Sequence, residues 1–504
     1  MPRNRFAQCL VVVVTKSTSV EIALQLKATA EFWRPMRKTK IICTLGPASE
    51  SSEIIEKMIL AGTDAFRLNM SHAKHDWVRD IVPRVRAIAR GLDRSVGLLL
   101  DTQGPAIRTG ALERDLELAV GDILEITVRG AESTEPKSIT VNYDDLIDDV
   151  SVGNVVLLDN GLMQVRVLAK ENNRIRAVVL TAGTLGSRRH INLPGVDVNL
   201  PALTEKDLAD VALGIELRVD FVALSFARKK QDLDQLRKLL RKGGSTAAVV
   251  AKIESQSAVH SIDDMIWATD VLLIARGDLG IECPMEELPI IQRRIVKRCL
   301  RIGKPVIVAT QMLESMIHNP VPTRAEVTDV ANAVFEQADA IMLTGETTSG
   351  RYPVECVQVL DRVALRIERS GGAGYGEEAI LEDARQKTVA AAVALANSLA
   401  RAKLVVFTRH GTMARYVSNL RPERAPIFAF TPSEEICRHL AVCWGTLPVQ
   451  LDFADDPNAT IEAAEQQLRT RKLISPKDNL VVLSDVRAGD ALVDCVQLRE
   501  VKVP

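Results

Sequence analysis

Eight short apolar runs alternate with amphipathic segments between residue 39 and about residue 367, and this alternation constrains the fold more than any other feature. The runs lie near residues 39–45, 64–69, 96–101, 220–225, 247–252, 270–275, 305–310 and 339–343. In segment 285–302, apolar residues recur at helical spacing, and Gly303 supplies a stop signal. Eight units of a strand followed by a helix predict a (β/α)8 barrel, also called a TIM barrel.

Two regions depart from this rhythm and indicate further domains. In the segment 105–199, Leu124 and Ile126 alternate with polar residues, and residues 159–161 (DNG) give a hairpin turn signal. We expect a small β domain inserted at the active-site end of the barrel, either as a lid or as a passive insertion. After a glycine-rich linker at 371–374, strand and helix patterns resume and predict a separate C-terminal α/β domain.

Residues 1–35 stand apart from the rest of the chain. Their apolar run at 10–14 is too short for the core of a signal peptide, although the scarcity of acidic residues leaves a transit peptide open. We interpret them as a loosely attached N-terminal extension. The expected domains are then residues 36–104 with 200–370 for the barrel, 105–199 for the insert and 371–504 for the C-terminal domain.

Bulk properties exclude several classes of partner. The net charge of −1 provides no positive field for nucleic acid, so we expect no nucleic-acid partner. No apolar run approaches the ~20 residues of a membrane span, so we expect no membrane partner. The eight cysteines form no C-x-x-C pair and are typical of the reduced thiols of an intracellular protein. We therefore expect a cytoplasmic location.

Charged residues follow two of the predicted strands in a pattern that suits phosphate chemistry. Lys252 and Glu254 end the fifth strand, and Asp278 lies in a glycine-containing turn after the sixth. Because Mg²⁺ takes one or two protein carboxylates, Glu254 and Asp278 could hold it. Lys252 could neutralise a transferring phosphoryl group. The alternative is that these residues pair with one another and bind no metal.

Other strand ends add to this pattern. Polar or charged residues follow six of the eight predicted strands, and they include Arg67, Asp101, Thr310 and Thr344. An arginine at such a rim can bind phosphate through two nitrogens. Each residue alone could be structural, but the set indicates function. No G-x-x-x-x-G-K-[ST] motif occurs, which excludes a P-loop.

One motif lies in the C-terminal domain. A turn after a buried strand contains hydroxyl groups and basic side chains, and it precedes a helix, so it is either a phosphate pocket or an ordinary turn. Its residues are Thr408, Arg409, His410, Gly411 and Thr412.

Together these segments closely resemble pyruvate kinase of the bacterial type, from residue 37 to the end of the chain. The most specific matches are residues 67–72 (RLNMSH), 252–254 (KIE), 275–280 (ARGDLG), 309–316 (ATQMLESM) and 322–327 (PTRAEV). The resemblance implies a barrel, an inserted β-barrel lid and a C-terminal regulatory domain in a homotetramer. It also implies phosphoryl transfer from phosphoenolpyruvate to ADP, giving pyruvate and ATP, with Mg²⁺ (or Mn²⁺) and K⁺, under the control of a phosphorylated effector.

The resemblance assigns a role to each matching residue. Lys252, Arg67, Thr310 and Thr344 would be catalytic, the two threonines through a proton relay to the enolate. Phosphoenolpyruvate would bind to Arg67, Lys252, Gly277, Asp278 and Thr310. Mg²⁺ would bind to Glu254 and Asp278, and K⁺ to Asn69, Ser71, Asp101 and Thr102. Nucleotide phosphates would face Arg67, His72, Arg108 and Arg189, and the effector would bind at Thr408–Thr412.

The sequence departs from the family pattern at Gln103, at Ala106, at residues 188–190 and at residues 488–491. Ala106 stands where members that dispense with K⁺ tend to have lysine. We therefore expect K⁺ to stimulate the enzyme and to compensate the charge of Asp101. The last departure argues against fructose bisphosphate as the effector and favours a sugar monophosphate or a nucleotide. Two other functions stay open, a metal-dependent aldolase barrel and a non-catalytic metabolite sensor, and ATP formation from ADP would distinguish them.

Overall fold

The computed structural model describes residues 36–196, 198–488 and 491–502, so the N-terminal extension at 1–35 and residues Gly489 and Asp490 lie outside the described part. The strands in chain order are β1 (Lys40–Thr44), β2 (Ala65–Asn69), β3 (Gly97–Asp101), β4 (Leu116–Leu118), β5 (Ile123–Thr127), β6 (Ser138–Thr140), β7 (Val155–Leu158), β8 (Met163–Glu171), β9 (Arg174–Val179), β10 (Gly183–Leu185), β11 (Ile191–Asn192), β12 (Phe221–Leu224), β13 (Ala248–Ile253), β14 (Val271–Ala275), β15 (Val306–Ala309), β16 (Ala340–Leu343), β17 (Ala402–Phe407), β18 (Ile427–Thr431), β19 (Thr446–Gln450), β20 (Asn479–Ala488) and β21 (Ala491–Glu500).

The helices are distributed along the whole described chain. They are α1 (Ser52–Ala61), α2 (His75–Gly91), α3 (Leu146–Asp149), α4 (Glu205–Glu216), α5 (Lys230–Lys242), α6 (Gln256–His260), α7 (Ile262–Ala268), α8 (Arg276–Glu282), α9 (Leu288–Ile302), α10 (Arg324–Phe335), α11 (Gly345–Thr348), α12 (Pro353–Glu368), α13 (Ala384–Ser398), α14 (Thr412–Asn419), α15 (Glu434–Leu440) and α16 (Pro457–Thr470). Short 3-10 helices lie at Glu314–Ile317 and Tyr375–Glu378.

Eight parallel strands close into a barrel in the order β1-β16-β15-β14-β13-β12-β3-β2, which confirms the predicted fold. These are the eight apolar runs of the sequence. Their side chains are buried on both faces, because the lumen fills with one apolar cluster and the surrounding helices cover another. Every strand therefore ends at the same rim of the barrel.

Local signals at the helix ends explain where the helices begin and stop. Thr323 and Glu326 form a capping box at the start of α10. Helix α9 carries Pro289 in its first turn and ends at Gly303, whose φ of 90° is left-handed. Thr204 and Asp207 form a second capping box at α4, where the chain re-enters the barrel.

The insert follows β3 and contains two sheets. A six-stranded sheet has the order β11-β7-β8-β9-β5-β6, and a two-stranded sheet pairs β10 with β4. The predicted hairpin is present, since β7 and β8 pair antiparallel around Asp159 and Asn160, which both have positive φ. The insert contacts the barrel rim where Asn192 Nδ2 donates to Glu282 Oε1 over 3.2 Å.

The C-terminal sheet has the order β19-β18-β17-β20-β21, in which only β21 runs antiparallel. Two buried ion pairs join it to the barrel: Arg421 to Asp339 and Arg438 to Asp220, each at 2.7 Å. Over the described ranges, no helix has both the length and the apolar character needed to cross a membrane.

Candidate active site at the carboxyl end of the barrel

Closure of the barrel brings four of the predicted residues into one buried network. Arg67 lies in the middle of β2, and its Nε donates to Asp101 Oδ2 at the end of β3 over 2.6 Å. Arg67 Nη1 donates to Thr44 Oγ1, on the other neighbouring strand, over 3.2 Å. The guanidinium is thus held across three adjacent strands, while its Nη2 makes no hydrogen bond to a described residue.

Lys252 lies at the centre of this network. Its Nζ is 2.7 Å from Ser225 Oγ, 2.7 Å from Glu254 Oε1 and 3.3 Å from Asp101 Oδ1. Burial disfavours the ammonium, but Asp101 and Glu254 outweigh burial and raise the pKa of Lys252. The side chain is therefore a fixed positive charge.

Asp101 is fully buried between the two cations. Burial alone would favour its protonated form, but the charges of Lys252 and Arg67 lower the pKa of its carboxyl group. Ser225 Oγ also lies 3.2 Å from Asp101 Oδ1. Two side-chain cations therefore already face Asp101 before any substrate or K⁺ binds.

Glu254 and Asp278 provide the negative charge of the site. Burial raises the pKa of Glu254 to about 7, Asp278 and Asp101 add to this effect, and Lys252 opposes it. Glu254 Oε2 accepts the Phe226 N–H over 2.6 Å. Asp278 is partly buried, and its carboxylate makes no hydrogen bond or ion pair with a described residue. Two mutually repelling carboxylates, one of them unpartnered, form a hard-oxygen donor set that fits a divalent cation.

The segment after β15 has a strained backbone. Thr310 and Gln311 have φ values of 69° and 56°, although neither is glycine. A β-branched residue rarely adopts this conformation, and such strain concentrates at functional sites. Arg276 Nη2 holds the segment by donating to Thr310 O over 2.8 Å. Thr310 Oγ1 in turn accepts the Gly277 N–H over 2.7 Å.

The ends of β15 and β16 are joined by the buried carboxylate of Glu346. Its Oε2 accepts the Thr344 N–H over 2.7 Å, and its Oε1 accepts the Leu313 N–H over 3.0 Å. The Thr344 hydroxyl is 3.3 Å from the same Oε2. This brace fixes Thr344 relative to the Thr310 segment.

The four residues assigned to K⁺ lie on neighbouring strand ends. Asn69 pairs in register with Asp101, and its Oδ1 accepts the Ser71 N–H over 3.2 Å. Thr102 follows Asp101 directly, and its carbonyl accepts Ser225 Oγ over 2.7 Å. Oxygen atoms that could bind a cation therefore lie side by side at the ends of β2 and β3. Ser71 is exposed and Thr102 is buried.

The residues assigned to nucleotide phosphates are dispersed. Arg67 lies in the buried network and His72 is exposed after β2. Arg108 belongs to the insert, where its Nη1 donates to Arg188 O over 3.1 Å and burial lowers its pKa. Arg189 is 3.7 Å from Asp159. The hydrogen bonds and ion pairs of Arg108 and Arg189 stay within the insert and do not reach Lys252.

The turn Thr408–Thr412 belongs to the C-terminal sheet and not to this network. Thr408 N donates to Phe430 O on β18 over 3.0 Å. Gly411, with a φ of 79°, precedes α14, and the Arg409 guanidinium lies 5.2 Å from the centre of the Phe453 ring.

Sequence reasoning missed three residues of the site. Ser225 bridges Lys252 and Asp101, Thr44 supports Arg67, and Glu346 joins two strand ends. From the sequence, polar or charged residues were found after six of the eight barrel strands. Thr44 and Ser225 lie at the ends of the other two strands. The only signal was their position directly after an apolar run.

Comparisons with known proteins relate this chain to one family. A family model described as pyruvate kinase, barrel domain, matches residues 36–357, and one described as pyruvate kinase, alpha/beta domain, matches residues 386–495. The pyruvate kinase of Sporosarcina psychrophila is 40% identical over 469 residues, which are 90% of this chain and 79% of the relative.

Two further relatives extend the range of organisms. The plastidial pyruvate kinase 3 of Arabidopsis thaliana is 38% identical over 479 residues, which cover 93% of this chain and 82% of the relative. The crystal structure of a pyruvate kinase from Cryptosporidium parvum superimposes with a TM-score of 0.87 at 32% identity, over 92% of this chain and 96% of that chain.

Proposed function

The chain belongs to the pyruvate kinase family, and from this premise we propose how its own residues carry out the family's reaction. The enzyme transfers the phosphoryl group of phosphoenolpyruvate to ADP, giving pyruvate and ATP. The observation that supports the assignment of residues most strongly is the buried Lys252 ammonium, fixed by Asp101, Ser225 and Glu254 at the carboxyl end of the barrel.

Lys252 and Arg67 neutralise the transferring phosphoryl group. Phosphoryl transfer depends on positioning and on charge neutralisation more than on covalent help from the protein. Lys252 is fixed before substrate arrives, so little reorganisation accompanies the transition state. Arg67 binds the phosphate of phosphoenolpyruvate through its Nη2 group, while Nε and Nη1 stay on Asp101 and Thr44.

Glu254 and Asp278 hold Mg²⁺ or Mn²⁺. A divalent ion held by these two carboxylates would supply positive charge to the phosphoryl oxygens. The unpartnered carboxylate of Asp278 supports this role. Burial, together with nearby Asp278 and Asp101, raises the pKa of Glu254, and a divalent cation would favour its charged form.

The amides of Gly277 and Asp278 receive the carboxylate of phosphoenolpyruvate. In the free protein, the Gly277 N–H donates to the Thr310 hydroxyl. When phosphoenolpyruvate binds, its carboxylate replaces the hydroxyl as the acceptor of this hydrogen bond. The released Thr310 hydroxyl, with Thr344, then relays a proton through water to the enolate carbon. The strained backbone at Thr310 and the Glu346 brace on Thr344 keep both hydroxyls in position.

K⁺ binds to Asn69, Ser71, Asp101 and Thr102. Because Arg67 and Lys252 already compensate Asp101, the support for this site is the set of oxygen donors on adjacent strand ends. Arg108, Arg189 and His72 contact the nucleotide phosphates together with Arg67, which requires the insert to act as a lid.

The remaining features of the resemblance also belong to this proposal. A phosphorylated effector binds at Thr408–Thr412, the enzyme forms a homotetramer, and it acts in the cytoplasm. The divisions at residues 36–104 with 200–370, 105–199 and 371–504 separate the catalytic, lid and regulatory domains.

A paired assay tests the reaction. Pyruvate is measured with lactate dehydrogenase and ATP with hexokinase and glucose-6-phosphate dehydrogenase, in the presence of Mg²⁺ and K⁺. We expect one ATP for each pyruvate and no pyruvate release without ADP. Pyruvate formation without ADP would indicate a phosphatase or lyase. If neither pyruvate nor ATP forms, the result would favour the metabolite sensor.

A further inference from the structure

His190 lies in the segment 188–190 of the insert, where the sequence departs from the family pattern, and the proposed site gives it no role. Its backbone is held on two sides. It forms an antiparallel bridge with Arg108, and its carbonyl accepts the Asp159 N–H over 2.9 Å. The imidazole is half-buried and makes no hydrogen bond or ion pair with a described residue. A fixed backbone therefore presents a polar ring that has no partner within the described part of the chain.

The strand that follows shows which way His190 points. Asn192 lies two residues further along the chain, and its Nδ2 donates to Glu282 Oε1 at the barrel rim over 3.2 Å. Residues two apart on an extended chain project to the same side. The insert meets the same helix again at Gly161, where a Cβ atom would lie 3.5 Å from Ile281 Cγ2. His190 therefore faces α8 together with Asn192.

Helix α8 places Asp278 opposite His190. Asp278 precedes Glu282 by four residues, so both lie on one face of α8, about 5.4 Å or one turn apart. Two residues of an extended strand span about 6.6 Å, which is a similar spacing. With Asn192 on Glu282, the next pair in this register is His190 with Asp278.

The charges around His190 agree with this register. Burial and the charge of Arg108 lower the pKa of His190, while the charges of Asp278 and Asp159 oppose them. The Arg108 guanidinium and the Asp278 carboxylate are thus both close enough to act on the imidazole. Because residues paired in an antiparallel bridge project to the same side, Arg108 shares the face of His190. The imidazole is neutral at neutral pH and keeps one ring N–H as a donor.

These groups indicate the chemistry of what lies between the insert and the rim. A ring N–H and the Arg108 guanidinium line the insert side, and Asp278, assigned to the divalent cation, lines the rim side. A phosphate oxygen suits both sides, because it accepts hydrogen bonds and is attracted by a guanidinium and by a divalent cation. In the proposed reaction the terminal phosphate of ADP reaches this position, since it must approach the phosphoryl group held by Lys252 and Arg67.

We propose that His190 binds the phosphoryl acceptor, with a ring N–H donating to an oxygen of the terminal phosphate of ADP beside Arg108. The inference rests on the proposed function and adds one residue to its nucleotide contacts. His190 then contributes to the binding of ADP and not to the binding of phosphoenolpyruvate.

Steady-state kinetics of His190→Ala test this contact. Loss of one hydrogen bond to a charged group should raise the KM for ADP about tenfold, while the KM for phosphoenolpyruvate stays within about twofold of the wild-type value. His190→Gln should recover part of the loss, because its amide also offers an N–H. His260→Ala, on an exposed histidine of α6, is the matched control and should change neither KM.

Isothermal titration of the full-length protein gives a second readout that needs no turnover. ADP, added without phosphoenolpyruvate, should bind His190→Ala about tenfold more weakly than the wild type. AMP, which lacks the terminal phosphate, should show no such difference. Thermal unfolding confirms that each variant is folded.

Each contrary result overturns a stated part of the inference. An unchanged KM and affinity for ADP in His190→Ala removes the contact, and if the Mg²⁺ requirement changes instead, the imidazole pairs with Asp278. Equal losses for ADP and AMP move the contact away from the terminal phosphate. A wild-type protein that forms neither pyruvate nor ATP overturns the proposed function, whereas the ADP titration still decides whether His190 binds the nucleotide.

Discussion

Lys252 shows how single residues balance charge inside the barrel. Burying an ammonium costs several kcal/mol, and this is offset only when good partners surround it. Asp101, Glu254 and Ser225 supply those partners within 3.3 Å. The same carboxylates then depend on Lys252, so a change to one member alters the ionisation of the others.

The metal assignment predicts the behaviour of two conservative variants. Glu254→Gln and Asp278→Asn each remove one anionic ligand from a site with only two, so the Mg²⁺ concentration for half-maximal activity should rise about tenfold or more. Mg²⁺ titration of steady-state activity measures this. Glu286→Gln, on an exposed residue beyond α8, is the matched control. Superimposable titration curves for all variants would place the metal elsewhere.

Ser225 is a positioning residue that the structure added to the site. Ser225→Ala removes the hydroxyl 2.7 Å from Lys252 Nζ, and hydrogen bonds to charged groups contribute about 1.5–3 kcal/mol. We expect kcat to fall about 10- to 100-fold, with a much smaller change in the KM for phosphoenolpyruvate. Ser433→Ala, an N-cap in the C-terminal domain, should not change kcat. A kcat for Ser225→Ala close to that of the control would remove this role.

At the scale of elements, the barrel strands could be predicted from the sequence, but the side-chain contacts made when the barrel closes could not. All eight strands were predicted, because strands buried on both faces are continuous apolar runs. Lys252, Asp101 and Arg67 were found because charge after an apolar run is conspicuous. Thr44 and Ser225 were missed because a lone hydroxyl has no chemical signal. Their partners are fixed only when β1 and β12 take their places in the closed barrel.

The insert is linked to the catalytic rim through α8. Asn192 donates to Glu282, and Gln256 Nε2 donates to the Glu282 carbonyl over 2.7 Å. Burial raises the pKa of Glu282. The hydrogen bond from Asn192 lowers this pKa, and the charge of Asp278 raises it. The helix that carries Asp278 therefore also carries a contact to the insert, which connects the position of the insert to the proposed metal ligand.

The turn after β17 gives a prediction for regulation. If a sugar monophosphate or a nucleotide binds at Thr408–Thr412, Arg409→Ala removes a guanidinium from that pocket and should abolish activation while basal kcat stays unchanged. Activity at subsaturating phosphoenolpyruvate, measured with and without each compound, tests this. Arg424→Ala, on an exposed arginine of the same domain, is the control. Unchanged activation curves for Arg409→Ala would move the effector site.

At the scale of the whole molecule, we predict that catalysis does not need residues 1–35. All described residues of the candidate site follow Arg37, whose buried guanidinium pairs with Asp64 at 2.8 Å and Asp361 at 3.1 Å. Deletion of residues 1–35 should therefore leave kcat unchanged. Deletion of residues 1–37 should destabilise the protein by about 3–5 kcal/mol, because it breaks the buried ion pairs that the Arg37 guanidinium makes with Asp64 and Asp361. Denaturant unfolding and steady-state kinetics compare the two truncations, and a kinetic loss in the shorter deletion would contradict this.

Turnover of Lys252→Met tests the central claim most directly. If the Lys252 ammonium stabilises charge that develops on the transferring phosphoryl group, kcat should fall by about 100- to 1,000-fold or more. Binding of phosphoenolpyruvate and Mg²⁺, measured by equilibrium titration of the folded variant, should change far less. A kcat within a few-fold of the wild-type value, in a variant that binds both normally, would contradict the assignment.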